Sequence, residues 1–193
     1  MPDDVLDLSP LIQFVNQLQV AGKTYQRHAV AALNDSALYG QTQAVDGIAS
    51  QIALPKAYIR RAFRINKARQ ASPVARISVA PSPVNLADYK YTQLLTPTKD
   101  PRAKRAVKPN GLQSLIHRRK GAAVLQHVFL ITGQNSGKVI AVTRKHPNQK
   151  GDRSVRTVYG PSVYQLWRDE RQNVASGDLP DYLVKRFIER AGL

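Results

Sequence analysis

The sequence contains no cysteine, and it has neither long apolar runs nor many acidic residues. Without cysteine the chain can form no disulfide, no thiolate metal site and no cysteine nucleophile. No apolar run approaches the roughly 20 residues that a membrane-spanning helix needs. The opening residues, MPDDVLDLS, are acidic where a secretory signal peptide is basic. We therefore expect a globular protein that is not exported through a signal peptide and has no membrane partner.

The length of 193 residues is enough to bury the core of one ordinary domain. A hydrophobic fraction of 42% indicates a globular chain, and 12 prolines and 11 glycines indicate several loops. We predict a single domain over residues 1–193. Its predicted parts are N-terminal helices in 1–62, a β-rich part in 63–160 with a basic loop at about 92–120, and C-terminal helices in 161–193.

Acidic residues are rarest in the middle of the chain. The formal net charge is +16, but residues 60–158 alone net +18, because they hold twenty-one Lys and Arg and only three acidic residues. The flanking parts are close to neutral, at −2 for residues 1–59 and zero for residues 159–193. Charge that is so segregated favours a polyanionic partner, such as DNA, RNA or an acidic protein face, over a merely solubilising surface.

The stretch RAKRAVKPNGLQSLIHRRKG, residues 102–121, is the densest basic segment and holds no acidic residue. It lies in a proline-punctuated region without sustained periodicity, which is typical of a functional or disordered loop. No aromatic residue lies between positions 92 and 128, so base stacking is not expected and contact with a phosphate backbone is favoured. The residues that we predict to contact a polyanion or a connector protein are Arg102, Lys104, Arg105, Lys108, Arg118, Arg119 and Lys120.

Apolar periodicity predicts helices at the N-terminal end of the chain. In residues 11–33 apolar side chains recur at alternating steps of three and four, and Ser9 followed by Pro10 is a helix start signal. Residues 35–52 are also helical in pattern, and their many small residues suggest close packing against a neighbour. The spacing leaves open whether these are two helices or one long bent helix. Pro55 opens a short helix that leads into the first strand.

The middle and the end of the chain predict strands and then helices. VARISVA alternates with the period of a half-buried strand, and AAVLQHVFLIT and KVIAVTRK flank the polar pentapeptide GQNSG as a hairpin would. SVRTVYG predicts a third strand. Two C-terminal helices begin at Pro161 and at the cap residue Asp178. The order of helices, strands and helices favours an α+β fold with a small antiparallel sheet over an alternating α/β fold.

The sequence predicts no catalytic, cofactor-binding or metal-binding residue. GQNSGKV ends in Gly-Lys, but Thr132 and Val139 stand where a phosphate-binding loop needs Gly and Ser or Thr. The four histidines lie too far apart for metal-ligand spacing. The acidic clusters at 169–170 and 178–181 lie at helix starts or on a charged helix face, where helix capping and the helix dipole explain them. No Gly-x-Ser-x-Gly motif is present, so we predict that the protein is not an enzyme.

Several motifs follow one another along the chain in the order of a known family: AVAALNDSA, GIASQIALPKAYIRRAFRINKARQ, ARISVAPSPVNLADY, VIAVTRK and VYGPSVYQLWRDE. Together they resemble the minor tail protein Z family of tailed bacteriophages, over nearly the whole chain. LPKAYIRRAF followed by ARISV is similar to the helix-to-strand transition of that family. YGPSV, which opens a C-terminal helix, is its most recognisable mark.

The resemblance implies a non-enzymatic virion protein, a tail completion or neck protein at the head-proximal end of the tail, assembled in the host cytoplasm. It implies a homo-oligomeric ring, hexameric to match the tail tube or else dodecameric. The implied partners are the tail terminator or tail tube protein, the head connector or portal-adaptor proteins, and the DNA in the channel by backbone contact. The residues expected at a subunit interface or in the core are Tyr159, Gly160, Pro161, Tyr164 and Trp167.

Two other hypotheses stay open on the residues alone. One is a free DNA-binding protein of the packaging or nucleoid type, without sequence specificity, and the other, which is weaker, is a nuclease accessory enzyme. The near-neutral helices at both ends favour the tail protein, because such surfaces suit subunit packing and a small monomeric DNA-binding protein would not need them.

Overall fold

The computed structural model describes residues 22–97, 107–133, 136–145 and 154–192. Its contacts divide the chain into two compact units. The helical unit comprises the described residues up to 48, together with 56–82 and 163–192, and the β unit comprises 49–55 and the described residues of 83–162. Whether the units fold together as the predicted single domain is not decided by this division, so that prediction stays a prediction.

The helical unit holds four helices and a two-stranded antiparallel sheet among its described residues. Its elements are α1 (Lys23–Gln51, with its last three residues in the β unit), α2 (Lys56–Ala62), β1 (Phe63–Asn66), β2 (Arg76–Val79), α3 (Val163–Ser176) and α4 (Leu179–Ala191). The predicted short helix, first strand and C-terminal helices are therefore present. Asp178 precedes α4 as predicted, but its side chain makes no capping hydrogen bond to a described residue.

Helix α1 is continuous, so the open choice falls to one long helix over the described residues. Its polar residues in the middle serve purposes other than ending it. The side chain of Asn34 accepts a hydrogen bond from the Ala68 N–H at 2.8 Å and donates to the Ala68 carbonyl at 3.2 Å. The Ser36 hydroxyl donates to the Ala32 carbonyl at 2.8 Å, which satisfies it within the helix. The expected start at residues 9–10 lies outside the described residues.

The small residues of α1 let other elements of the helical unit approach closely. A Cβ atom on Gly40 would lie 3.3 Å from Ile77 Cδ1 and 3.5 Å from Leu179 Cδ1. Gly47 lies directly beneath the carboxylate of Glu170, where a side chain would collide. Ala44 is fully buried. The close packing suggested for residues 35–52 therefore occurs against β2, α3 and α4 of the same chain.

The β unit is built of short antiparallel strands. They are β3 (Val84–Asn85), β4 (Lys90–Pro97), β5 (Val107–Leu115), β6 (Ala123–Leu125), β7 (Val128–Thr132), β8 (Val139–Arg144), β9 (Val155–Thr157) and β10 (Tyr159–Gly160), with a 3₁₀ turn at Leu86–Asp88. They form two three-stranded sheets, in the orders β4–β5–β6 and β7–β8–β9, and a pair of β3 with β10. Helices at both ends and antiparallel sheets between them confirm the predicted α+β fold.

The predicted hairpin is present as β7 and β8, which pair from Val128 opposite Thr143 to Thr132 opposite Val139. The Gly133 N–H donates to the Lys138 carbonyl at 2.9 Å, so the pairing of the two strands extends one residue beyond their ends. The third predicted strand, SVRTVYG, divides in two. Its first part, β9, pairs with β8, whereas its end, β10, pairs with β3.

The prediction of a long loop at about 92–120 is wrong for most of the described residues in that range, because they form strands. Strands β4 and β5 pair antiparallel from Lys90 opposite Leu115 to Pro97 opposite Val107. The alternation that would have revealed them is hidden, because most of β4 is exposed and a bulge shifts the register between Gln93 and Leu95.

The bulge depends on a glycine. Gly111, opposite the shifted segment, has a φ of +132°, and a Cβ atom there would lie 3.0 Å from the Leu125 carbonyl oxygen of β6. The Gln93 amide donates to the Gly111 carbonyl at 2.5 Å and accepts from the Leu130 N–H of β7 at 3.1 Å. One side chain thus links the two three-stranded sheets within the β unit.

Candidate functional site

The segment Tyr159-Gly160-Pro161, which we predicted at an interface or in the core, forms a tight corner in the β unit. Gly160 pairs with Val84 of β3, and the ring of Tyr89 covers it so closely that a Cβ atom would lie 2.7 Å from the Tyr89 Cε2 atom. The Tyr89 hydroxyl donates to the Pro161 carbonyl at 2.5 Å. The glycine therefore lets a buried tyrosine close over the backbone and hydrogen-bond beyond it.

Asn85 anchors this corner to the neighbouring sheet, and sequence reasoning missed it. Its buried Oδ1 atom accepts hydrogen bonds from the N–H groups of Ala87 and Ala141, both at 2.8 Å. Its amide nitrogen lies 3.4 Å from the Ala141 carbonyl, to which it donates. The signal was present in NLADY, since an asparagine before a turn commonly accepts the N–H two residues later.

The aromatic residues near the corner differ in burial. Tyr159 is 54% exposed and Tyr164 is half-buried, whereas Trp167 is fully buried. The Trp167 ring meets Phe63 edge to face, with centroids 5.3 Å apart and planes at 78°. Trp167 therefore lies in the core of the helical unit, and Tyr159 offers its ring to solvent on the β unit.

The seven predicted basic contacts fall into three groups. Arg102, Lys104 and Arg105 lie outside the described residues. Lys108 belongs to β5, and its side chain is not described. Arg118, Arg119 and Lys120 follow the end of β5 and are exposed. Among the described side chains, the structure brings together only the last three.

Arg118 differs from its two neighbours because it supports the fold. Its Nε atom donates to the carbonyls of Ala49 at 2.7 Å and Ile52 at 3.0 Å, and its N–H donates to the Gln51 carbonyl at 3.0 Å. These carbonyls lie at or just beyond the C-terminal end of α1, where the helix leaves carbonyls unpaired and a cation is favourable. The guanidinium thus stabilises a helix end within the β unit, whatever else it contacts.

Sequence reasoning missed a second basic surface in the helical unit. Six exposed cations lie on α2, on β1, on the turn that follows and on β2, and within the described residues none of them makes an ion pair. No acidic residue lies between positions 46 and 88, which was the available signal. We call this set the hairpin cluster, and its members are Arg60, Arg61, Arg64, Lys67, Arg69 and Arg76.

The surface between α1 and α4 is different, because its polar groups have partners. The rings of Tyr39 and Tyr182 stack with centroids 4.1 Å apart. Arg186 donates to the Tyr182 hydroxyl at 3.0 Å and to Glu189 at 2.8 Å. These bonds, the one to Tyr182 first, raise the pKa of the Arg186 guanidinium above its ordinary value. In this part of the helical unit, Arg186 and Arg190 are therefore paired with carboxylates of the same unit.

Within the described ranges, His, Asp and Glu side chains form no group of three or more that could hold a metal ion. Among the same residues, no helix has both the length and the apolar character to cross a membrane.

Comparison with known proteins assigns the chain to a protein family. A family profile of phage tail proteins matches residues 10–189, so the protein is a structural component of a phage tail and is virion-associated. It belongs to the prophage minor tail protein Z (GPZ) family, as its motifs predicted. No curated protein matches the chain significantly, and no solved structure does so either.

Proposed function

We propose that this protein is a tail completion protein at the head-proximal end of the tail, where a ring of its copies joins the tail to the head connector around the DNA channel. The observation that carries the proposal is membership of the minor tail protein Z family over nearly the whole chain. Its segregated positive charge supports a position beside a polyanion.

The sheet edges of the β unit support assembly into a ring. Each of the four edge strands in the two three-stranded sheets carries at least one large apolar side chain that is at least 36% exposed: Tyr91 and Leu95 on β4, Val124 on β6, Ile131 on β7 and Val155 on β9. Natural sheet edges usually avoid exposed apolar residues, because an open edge pairs readily with another chain. We infer that copies of this protein contact one another through these edges.

The ring would also multiply the basic residues. Each copy would bring the same exposed Arg119 and Lys120, and a lumen that repeats weak cationic contacts around its circumference produces a strong collective field. The predicted contact residues then face either the phosphate backbone in the channel or an acidic connector ring.

The test is the mass of the full-length protein in solution, alone and mixed with tail tube or connector subunits. We expect the protein to form a species with the mass of a ring when those subunits are present. We also expect that tails assembled without the protein join filled heads only after the protein is added. A stable monomer that ignores those subunits and binds short DNA with a steep salt dependence would overturn the proposal in favour of a free DNA-binding protein.

A further inference from the structure

The hairpin cluster in the helical unit is a site that the family match and the motifs do not assign. The geometry points to a surface that binds the phosphate backbone of duplex DNA without reading its sequence. The inference depends on the helical unit alone and not on the position of the protein in the tail.

The register of β1 and β2 gives their sheet two different faces. Phe63 lies opposite Val79 and Ile65 opposite Ile77 on the apolar face, where Ile65 is half-buried and the other three are buried in the core. The alternate residues of the two strands are polar and point to the opposite face of the sheet, because successive side chains of a strand alternate. Asn66 lies opposite Arg76 on this outer face, and Arg64 lies on the same face one step along. Pairing of the strands thus brings two arginines from distant sequence positions onto one exposed surface.

The turn that joins the strands is held in place. Asn34 of α1 holds both backbone polar groups of Ala68, and the N–H and carbonyl of Arg69 pair with those of Ser72 at 2.9 and 3.0 Å. Lys67 lies within this fixed segment. Because the backbone is already ordered, positioning these cations for a ligand costs less entropy than ordering a mobile loop would.

A groove of about 660 Å³ lies along the hairpin. Its polar lining consists of Asn66, Lys67, Arg69, Ser72 and Arg76. Three cations and two neutral hydrogen-bonding side chains are the kind of set that contacts phosphate and sugar oxygens. The groove therefore has both the charge and the neutral donors that a nucleic-acid backbone requires.

Within the ranges that the structure describes, no acidic side chain forms an ion pair with a cation of the cluster. The preceding acidic residue in the sequence, Asp46, is paired with Lys56 at 2.7 Å. Exposed cations of one sign that share a surface create a positive potential, which attracts a polyanion. The guanidinium groups of the cluster are suited to this role, because they bind phosphate in a bidentate manner.

The surface is better suited to the backbone of duplex DNA than to unpaired bases or to an acidic protein. Phe63, the one aromatic residue between positions 60 and 76, is buried, so the cluster offers no ring for stacking on bases. The cations extend from a helix end across both strands, and such a spread suits a regular row of phosphates. An acidic protein would need matching carboxylates, which makes it the alternative outcome of the test.

The experiment measures binding of the full-length protein to a labelled 20-base-pair duplex of mixed sequence over a range of salt concentrations. The test variant combines Arg64→Gln, Lys67→Gln, Arg69→Gln and Arg76→Gln. The control variant removes the same charge from exposed positions outside the cluster, with Lys90→Gln, Lys145→Gln, Arg156→Gln and Arg168→Gln. Thermal unfolding of each variant verifies that it is folded.

We expect the test variant to bind roughly tenfold or more weakly near 0.1 M salt, and its slope of log affinity against log salt to flatten by about 3 to 4, since each lost phosphate contact contributes about 0.9. The control should stay within about threefold of the unchanged protein. Equal losses in both variants would mean that net charge alone attracts DNA and would overturn the site.

Two further outcomes are decisive. Binding of poly-glutamate with no binding of the duplex would assign the surface to acidic proteins and reject DNA. Ring formation is measured on the same samples by mass, so failure of DNA binding with an intact ring would overturn this inference and leave the proposed function standing.

Discussion

The ring of Tyr89 closes over Gly160 within the β unit, and its hydroxyl donates to the carbonyl of Pro161. Tyr89 is only 3% exposed, so the contact is part of the core of that unit. The glycine in the family's most recognisable motif therefore has a steric reason, since a side chain at this position would occupy the space of the ring.

We predict that Gly160→Ala destabilises the protein by about 1–3 kcal/mol, because the added Cβ atom would lie 2.7 Å from the Tyr89 ring. The free energy of unfolding in urea is the measurement. The matched control is the same change in a Tyr89→Ala background, where the space is already empty and the added cost should nearly vanish. Equal costs in the two backgrounds would show that the ring is not the cause.

Arg118 should behave differently from Arg119, although both belong to the basic stretch. Arg118→Gln removes the Nε donor that binds the carbonyls of Ala49 and Ile52, and we expect a loss of about 1 kcal/mol in unfolding free energy. Arg119→Gln, at an exposed position, should stay within about 0.5 kcal/mol of the unchanged protein. If the two variants were equally stable, the support that Arg118 gives to the end of α1 would be negligible.

That difference shapes any test of the predicted polyanion contacts. Neutralising the whole basic stretch would mix a folding defect with a binding defect. A variant that keeps Arg118 and changes Arg119 and Lys120 separates the two, since loss of infectious particles with unchanged stability would then report on contact alone.

The sequence predicted those parts of the fold that depend on local pattern. The β7–β8 hairpin followed from two apolar runs around a polar turn, and α3 and α4 followed from helical periodicity and their start signals. Strands β4 and β5 were missed although they follow one another in the sequence, because an exposed strand shows no apolar alternation and the bulge at Gly111 breaks the period.

The candidate site was predictable only in part, for a similar reason. Total charge located the basic region, but Arg64 and Arg76 are twelve positions apart and share a face only through the register of β1 with β2. Asn34, which fixes the turn beside them, lies far away in α1. Such a surface is defined by strand pairing and tertiary hydrogen bonds, which composition does not reveal.

Trp167 provides a test of core against interface. Trp167→Ala should destabilise the isolated chain by about 3–5 kcal/mol, because a fully buried indole is removed. Trp167→Phe should cost clearly less, since the ring against Phe63 is retained and, among the described residues, the indole N–H has no hydrogen-bond partner to lose. Unfolding followed by circular dichroism measures both. A variant that keeps its stability but no longer assembles into the oligomeric ring would place Trp167 at a subunit contact instead.

The sheet edges give the sharpest test of assembly. Leu95→Lys and Val124→Lys place charges on two edge strands, at side chains that are 57% and 55% exposed. The unfolding free energy of the single chain should therefore change by no more than about 0.5 kcal/mol. If copies meet through these edges, each change buries a charge at the contact, and the ring should dissociate into smaller species by mass measurement. The matched control is Val184→Lys on α4, which is also exposed, at 43%, and should leave the ring intact. Rings that survive both edge changes would reject the edge contact, and rings lost only in the control would move the interface to α4.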